Sequence, residues 1–232
     1  MYGNSHMRQV SETIMCNFWN KVIAKHVTYR ETGNDVDRWI HGDTQCRACM
    51  QFSQTQVDFG CIDQDVVYDA CRCDDDRAEY LFENGAVVHY YYAGGDQHKT
   101  IKDALLRHGN VSLSYYDAVV ANHGNGPQMT VDNVCEAAFE LQALSVPFFW
   151  LSTYSGQGSV NMWNDAQKAQ FTQSGARFVN VGHMVFGLSN FTKGVVEDLV
   201  DPHFCLPGPP DELGFLLLKI IWALYHERGA TA

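Results

Sequence analysis

From Met7 onward the apolar positions fall at helical spacing: Met7, Val10, Ile14, Phe18 and Val22. This pattern predicts a first helix over residues 6–27. It then fades. From Thr28 to about Asp76 the chain is polar and Cys-rich, is broken by Gly33, Gly42 and Gly60, and predicts no clear element. Ala86–Tyr92 is a strand by its β-branched and aromatic content, and it ends in a tight turn at Ala93-Gly94-Gly95-Asp96. Residues 100–108 read as a short helix. Asp117–Asn122 reads as a buried strand of parallel type, broken by His123-Gly124-Asn125-Gly126-Pro127. A helix over 130–144, a strand at Pro147–Leu151, a Ser/Gly loop from Ser152 to Ser159 and a helix over 160–174 follow. Ala176–Val181 is the last clear strand. A helix over 211–227 closes the chain, with Pro209 and Pro210 ahead of it and two acids in its first turn.

Strands alternating with helices predict an α/β fold, a three-layer α/β/α sandwich with a mainly parallel sheet. There is no internal repeat and no linker long enough to separate a pair of domains. The expectation is one domain over 1–232, with a Cys-rich insertion at about 28–80. At 46% hydrophobic, 232 residues suffice for a sizeable core. The formal net charge of −11 argues against nucleic acid or an anionic membrane surface as partner and suits a neutral substrate. The longest apolar run, Phe215–Leu224 across Lys219, is too short to span a bilayer.

Eight cysteines are many for a cytosolic protein of this size, and five of them lie between Cys46 and Cys73. Cys46-x-x-Cys49 with Cys71-x-Cys73 is one residue too tight for a zinc ribbon. Disulfides tying down the insertion in an oxidising compartment are the preferred reading, against a set of free buried thiols. Asp74, Asp75 and Asp76 lack the spacing of a calcium loop and read as solvated. The sequons at Asn110 and Asn190 are no more than chance supplies.

Candidate chemistry sits at the two ends. Gly3-Asn4-Ser5 directly precedes the first amphipathic run, which puts Ser5 at a strand-to-helix junction. There its Oγ is exposed and the free N–H groups of the helix start face any anion that forms beside it. Alone, this is an ordinary N-cap serine. At the other end stands Asp201-Pro202-His203-Phe204-Cys205-Leu206-Pro207-Gly208-Pro209-Pro210-Asp211-Glu212, just before the last helix. Gly-x-Ser first and an Asp/His pair last is the order of the SGNH (GDSL-like) hydrolase superfamily. The string from His203 to Glu212 resembles its PC-esterase branch, which includes the trichome-birefringence-like polysaccharide O-acetyltransferases.

The resemblance implies an SGNH/flavodoxin-like fold and an acyl enzyme. Ser5 would be the nucleophile, His203 the general base and Asp201 its orienter. The oxyanion donors would be the N–H of Ser5, that of Gly94 or Gly95, and the amide of Asn122 or Asn125. His6, Arg8 and His123 are candidates for substrate contact. Three departures from the family stand out. Gly-Asp-Ser is Gly-Asn-Ser; Asp-x-x-His is Asp-x-His, so that Asp198 or a Ser-His dyad is an alternative; and Gly-x-Asn-Asp reads Gly124-Asn125-Gly126. Gly42-Asp43-Thr44 is a poorer match to the nucleophile motif, since no amphipathic helix follows Thr44.

The substrate class implied is a glycan carrying O-acetyl groups, with an acetyl donor if the enzyme transfers rather than hydrolyses. No metal or organic cofactor is implied. Rivals are a catalytically lapsed glycan-binding member and an incomplete product that does not fold alone. The family's first strand precedes its nucleophile, and only Met1 and Tyr2 stand before Gly3, so the first strand is expected to be truncated and any targeting segment or anchor to lie upstream. Family and cysteines together imply the secretory pathway, in the Golgi lumen or outside the cell.

Overall fold

The protein is seen here as a computed structural model that describes residues 1–3, 7, 10–11, 14, 18, 21–31, 34–41, 77–92, 101, 112–122, 131–152, 154–155, 158–159, 165–181, 195–196, 199–200 and 209–229. Its strands are β1 (Tyr2–Gly3), β2 (Val22–Glu31), β3 (Asn34–His41), β4 (Arg77–Phe82), β5 (Val87–Tyr92), β6 (Val119–Asn122), β7 (Phe148–Leu151), β8 (Tyr154–Ser155), β9 (Gly158–Ser159), β10 (Arg177–Val179), β11 (Val195–Val196) and β12 (Leu199–Val200). Its helices are α1 (Val131–Ala143), α2 (Asp165–Gln173) and α3 (Pro209–Gly229). Met7, Val10, Ser11 and Ile14 are helical as well.

The fold is a mix of α and β around one eight-stranded sheet, in the order β10-β7-β6-β1-β5-β4-β2-β3. From β10 to β5 every pairing is parallel. From β5 to β3 every pairing is antiparallel. The two-residue β1 lies inside the parallel region: Tyr2 is opposite Tyr91 and Ala121, and Gly3 is opposite Tyr92 and Asn122. Chain order therefore reverses at β1, with the next parallel strand, β5, on one side and the one after it, β6, on the other.

Side chains alternate across the sheet and divide between two cores. Tyr90, Val120, Phe149 and Leu151 pack with Met7, Val10, Ile14, Leu213 and Leu217. Tyr91, Ala121, Phe148 and Trp150 pack with Val134, Ala138 and Leu141 of α1 and Phe171 of α2. Burial on both sides explains why β6 and β7 read as unbroken apolar runs.

Most predicted elements in the second half recur within a few residues. The first half differs. The helix predicted over 6–27 gives way to strand at Val22, because β-branched Val22, Ile23 and Val27 lie in a strand that pairs with β4. Val22 and Ala24 are buried and Ile23 is half exposed, a period of two rather than 3.6. The start of the expected insertion is likewise sheet: β2 and β3 form a hairpin with Glu31 opposite Asn34. The sequence pattern does not predict β4, although Glu83-Asn84-Gly85 is a hairpin signal. Gly85 holds φ +82°, and Ala86 N–H donates to Asn84 Oδ1 at 3.1 Å. The Ser152–Ser159 loop contains the short β8/β9 pair. Residues 42–76, which hold Thr44, the acidic triplet and five cysteines, lie outside the described residues, and so do Cys16 and Cys205. Cys135 is a free, buried thiol; burial pushes its pKa up.

Candidate functional site

The loops leaving β1, β5, β6 and β7 all start from one edge of the sheet, where parallel strands end. In open α/β sheets, ligands bind in the crevice outside those ends, where strand order reverses. Here that point is Gly3 beside Asn122.

Gly3 is a tight fit. A Cβ there would stand 2.4 Å from Asn122 O and 2.7 Å from Met7 Cβ. Such approaches are forbidden to any side chain, so the chain can pass from β1 to helical Met7 across the end of β6 only with glycine at this position. Gly3 O accepts from the buried Tyr90 hydroxyl at 3.3 Å. Ser5 falls between the end of β1 at Gly3 and helical Met7 in chain order.

Asn122 closes β6 and is 1% exposed. Its Nδ2 donates to Leu151 O at 2.9 Å and to Ser152 O at 3.3 Å. Both amide protons are thus directed at backbone carbonyls, and this side chain clamps the ends of β6 and β7 together. Its Oδ1 is buried with no partner among the described residues. That atom is an acceptor, the wrong polarity for an oxyanion site. The expected oxyanion role therefore does not suit Asn122, and Asn125 and the backbone N–H groups remain as donors.

Sequence reasoning missed the rest of this edge. Ser152 N–H donates to Val179 O, and Ser152 Oγ accepts from Val181 N–H, both at 2.9 Å. Ser152 Oγ also donates to Asn180 Oδ1 at 3.4 Å. The clamp thereby continues from β6 through β7 to β10. The signal is a polar residue directly after each apolar strand: Asn122, Ser152 and Asn180.

Of the other expected residues, Ser5, His6, Arg8, Gly94, Gly95, His123, Asn125, Asp198, Asp201 and His203 lie outside the described residues. Their positions in the chain are nonetheless bounded. Gly94 and Gly95 follow β5, which ends at Tyr92 opposite Gly3. His123 and Asn125 follow Asn122. His203 comes six residues before Pro209, the first residue of α3.

Among the described residues no group of three or more His, Cys, Asp or Glu is arranged to hold a metal ion, and no helix is long and apolar enough to cross a membrane. Comparison with protein families, curated proteins and solved structures finds no match to this chain.

Proposed function

We propose that the protein is an SGNH-type serine acyl enzyme that adds or removes O-acetyl groups on a glycan through an acetyl-Ser5 intermediate. The observation that carries this reading is Gly3. A glycine obligatory at the end of the central parallel strand, where strand order reverses, directly precedes Asn4-Ser5. The parallel strands, numbered along the chain, run 2-1-3-4-5, the flavodoxin-like doubly wound order. Helical residues pack on both faces, in support of a three-layer sandwich.

In this reading Ser5 Oγ attacks the acetyl carbonyl carbon while His203 takes its proton. Backbone N–H groups of Ser5 and of Gly94 or Gly95, with the Asn125 amide, stabilise the oxyanion. The carbon–oxygen bond to the donor breaks as His203 returns the proton to the departing oxygen, leaving acetyl-Ser5. His203 then deprotonates water or a sugar hydroxyl, whose oxygen attacks the acyl carbon and frees Ser5. Asp201 orients the imidazole. The substrate class and the secretory setting rest on the PC-esterase resemblance.

The test is a fluorophosphonate probe mapped by mass spectrometry. The expected result is an adduct on Ser5 that is absent from a folded His203→Ala protein. An adduct on Thr44 would move the nucleophile. No adduct on folded protein would favour the lapsed glycan-binding reading.

A further inference from the structure

At the opposite edge of the sheet, where β5 and β6 begin, a pocket of about 370 Å³ opens in line with β1. Its walls come from both cores. Val88, Val120, Leu218 and Ile221 are apolar, and His89 and Tyr116 bring the polar atoms. The volume lies within the range of small-molecule sites, and an apolar cavity with a few convergent polar groups is their usual make-up.

His89 is the unusual member. It is 9% exposed, and its Nε2 is buried with no hydrogen-bond partner among the described residues. Its other nitrogen is well held: Nδ1 lies 3.1 Å from Oε1 of buried Glu79, its cross-strand neighbour on β4, and 3.0 Å from Tyr91 Oη. Tyr91 Oη is in turn 3.1 Å from Tyr116 Oη. A carboxylate only accepts, so Nδ1 carries the ring proton and Nε2 presents a bare lone pair. The rings of Tyr115 and Tyr116 stand edge-to-face against the imidazole, at 5.8 and 5.6 Å, and fix its plane. A buried acceptor held rigidly and left without a donor is an interaction waiting to be completed.

We propose that this pocket binds a compact apolar molecule carrying one O–H donor, of the phenol or small-alcohol class, with the hydroxyl on His89 Nε2 and the apolar body against Val88, Val120, Leu218 and Ile221. The site is separate from the candidate catalytic edge and does not depend on the acyl-enzyme reading.

The test is titration of the whole chain with 4-methylphenol, followed by calorimetry and by the ¹⁵N resonances of the His89 ring. 1,4-Dimethylbenzene, the same shape without the donor, is the control. The expected result is saturable binding of 4-methylphenol, a shift of the Nε2 resonance, and binding of the control about tenfold weaker. His89→Phe should remove the preference. Ala118→Phe, which fills the cavity without touching His89, should remove binding at an unchanged Tm. No saturable binding, equal binding of the two probes, or an unmoved Nε2 resonance would overturn the proposal. So would one further outcome: if four apolar residues joined ahead of Met1 raise Tm and abolish binding, the space belongs to a length of strand.

Discussion

At the scale of single residues, Gly3 carries the most. Its α-hydrogen faces Asn122 O and Met7 Cβ at distances no methyl group tolerates. Gly3→Ala must therefore push β1 from β6 or lift the following helix. The expected cost is about 1–3 kcal/mol, as for other overpacked interiors. A lower urea midpoint at unchanged slope would show it. If Ser5 is the nucleophile, the same change also lowers its rate of fluorophosphonate labelling, because the turn that carries it moves. Asn122 teaches a related lesson. Its place at a strand end is legible in the sequence, but the direction of its amide is not. That direction is set by two carbonyls, of Leu151 and Ser152, about thirty residues away in the chain.

At the scale of elements, legibility follows the surroundings of each segment. Strands β6 and β7 are buried on both sides, and α1 lies between them in the chain, so continuous apolar runs and a 3.6-residue period announce them. Strands β2, β3 and β4 are polar and antiparallel, and they borrow their order from one another; no local pattern marks them except the turn at Gly85. The Glu79–His89 pair is hidden with β4, since it exists only through cross-strand register. The final helix shows how burial sorts similar residues. Leu217 on α3 is fully buried, and Trp222 is 66% exposed. Leu217→Ala should cost about 2–5 kcal/mol. Trp222→Ala should stay within about 0.5 kcal/mol. Equal effects in thermal unfolding would mean that α3 packs by a different face.

At the scale of the molecule, a charge has been brought into the sheet. The Met1 ammonium donates to His89 O between β5 and β6, and burial lowers its pKa from 8.0 to about 5. Unfolded, this amine holds its proton up to about pH 8; folded, it gives the proton up far sooner. Between those values the unfolded chain binds more protons, so stability rises with pH across the window from about 5 to 8 and falls again on acidification. The contribution is on the order of 4 kcal/mol at most. Urea midpoints at pH 5, 6.5 and 8 would measure it, and N-terminal acetylation should flatten the slope.

The two-residue β1 also has a consequence in time. Its partners Tyr91 and Ala121 lie 89 and 119 positions further along the chain. No local contact can hold it until both have formed their own strands, so closing the centre of the sheet is a long-range event and should come late in folding. A partly synthesised or partly folded chain would then contain most of its hydrophobic core while the Gly-Asn-Ser turn is still unformed. Such a chain would be compact yet inert towards a serine probe, and labelling would report the completion of folding rather than collapse.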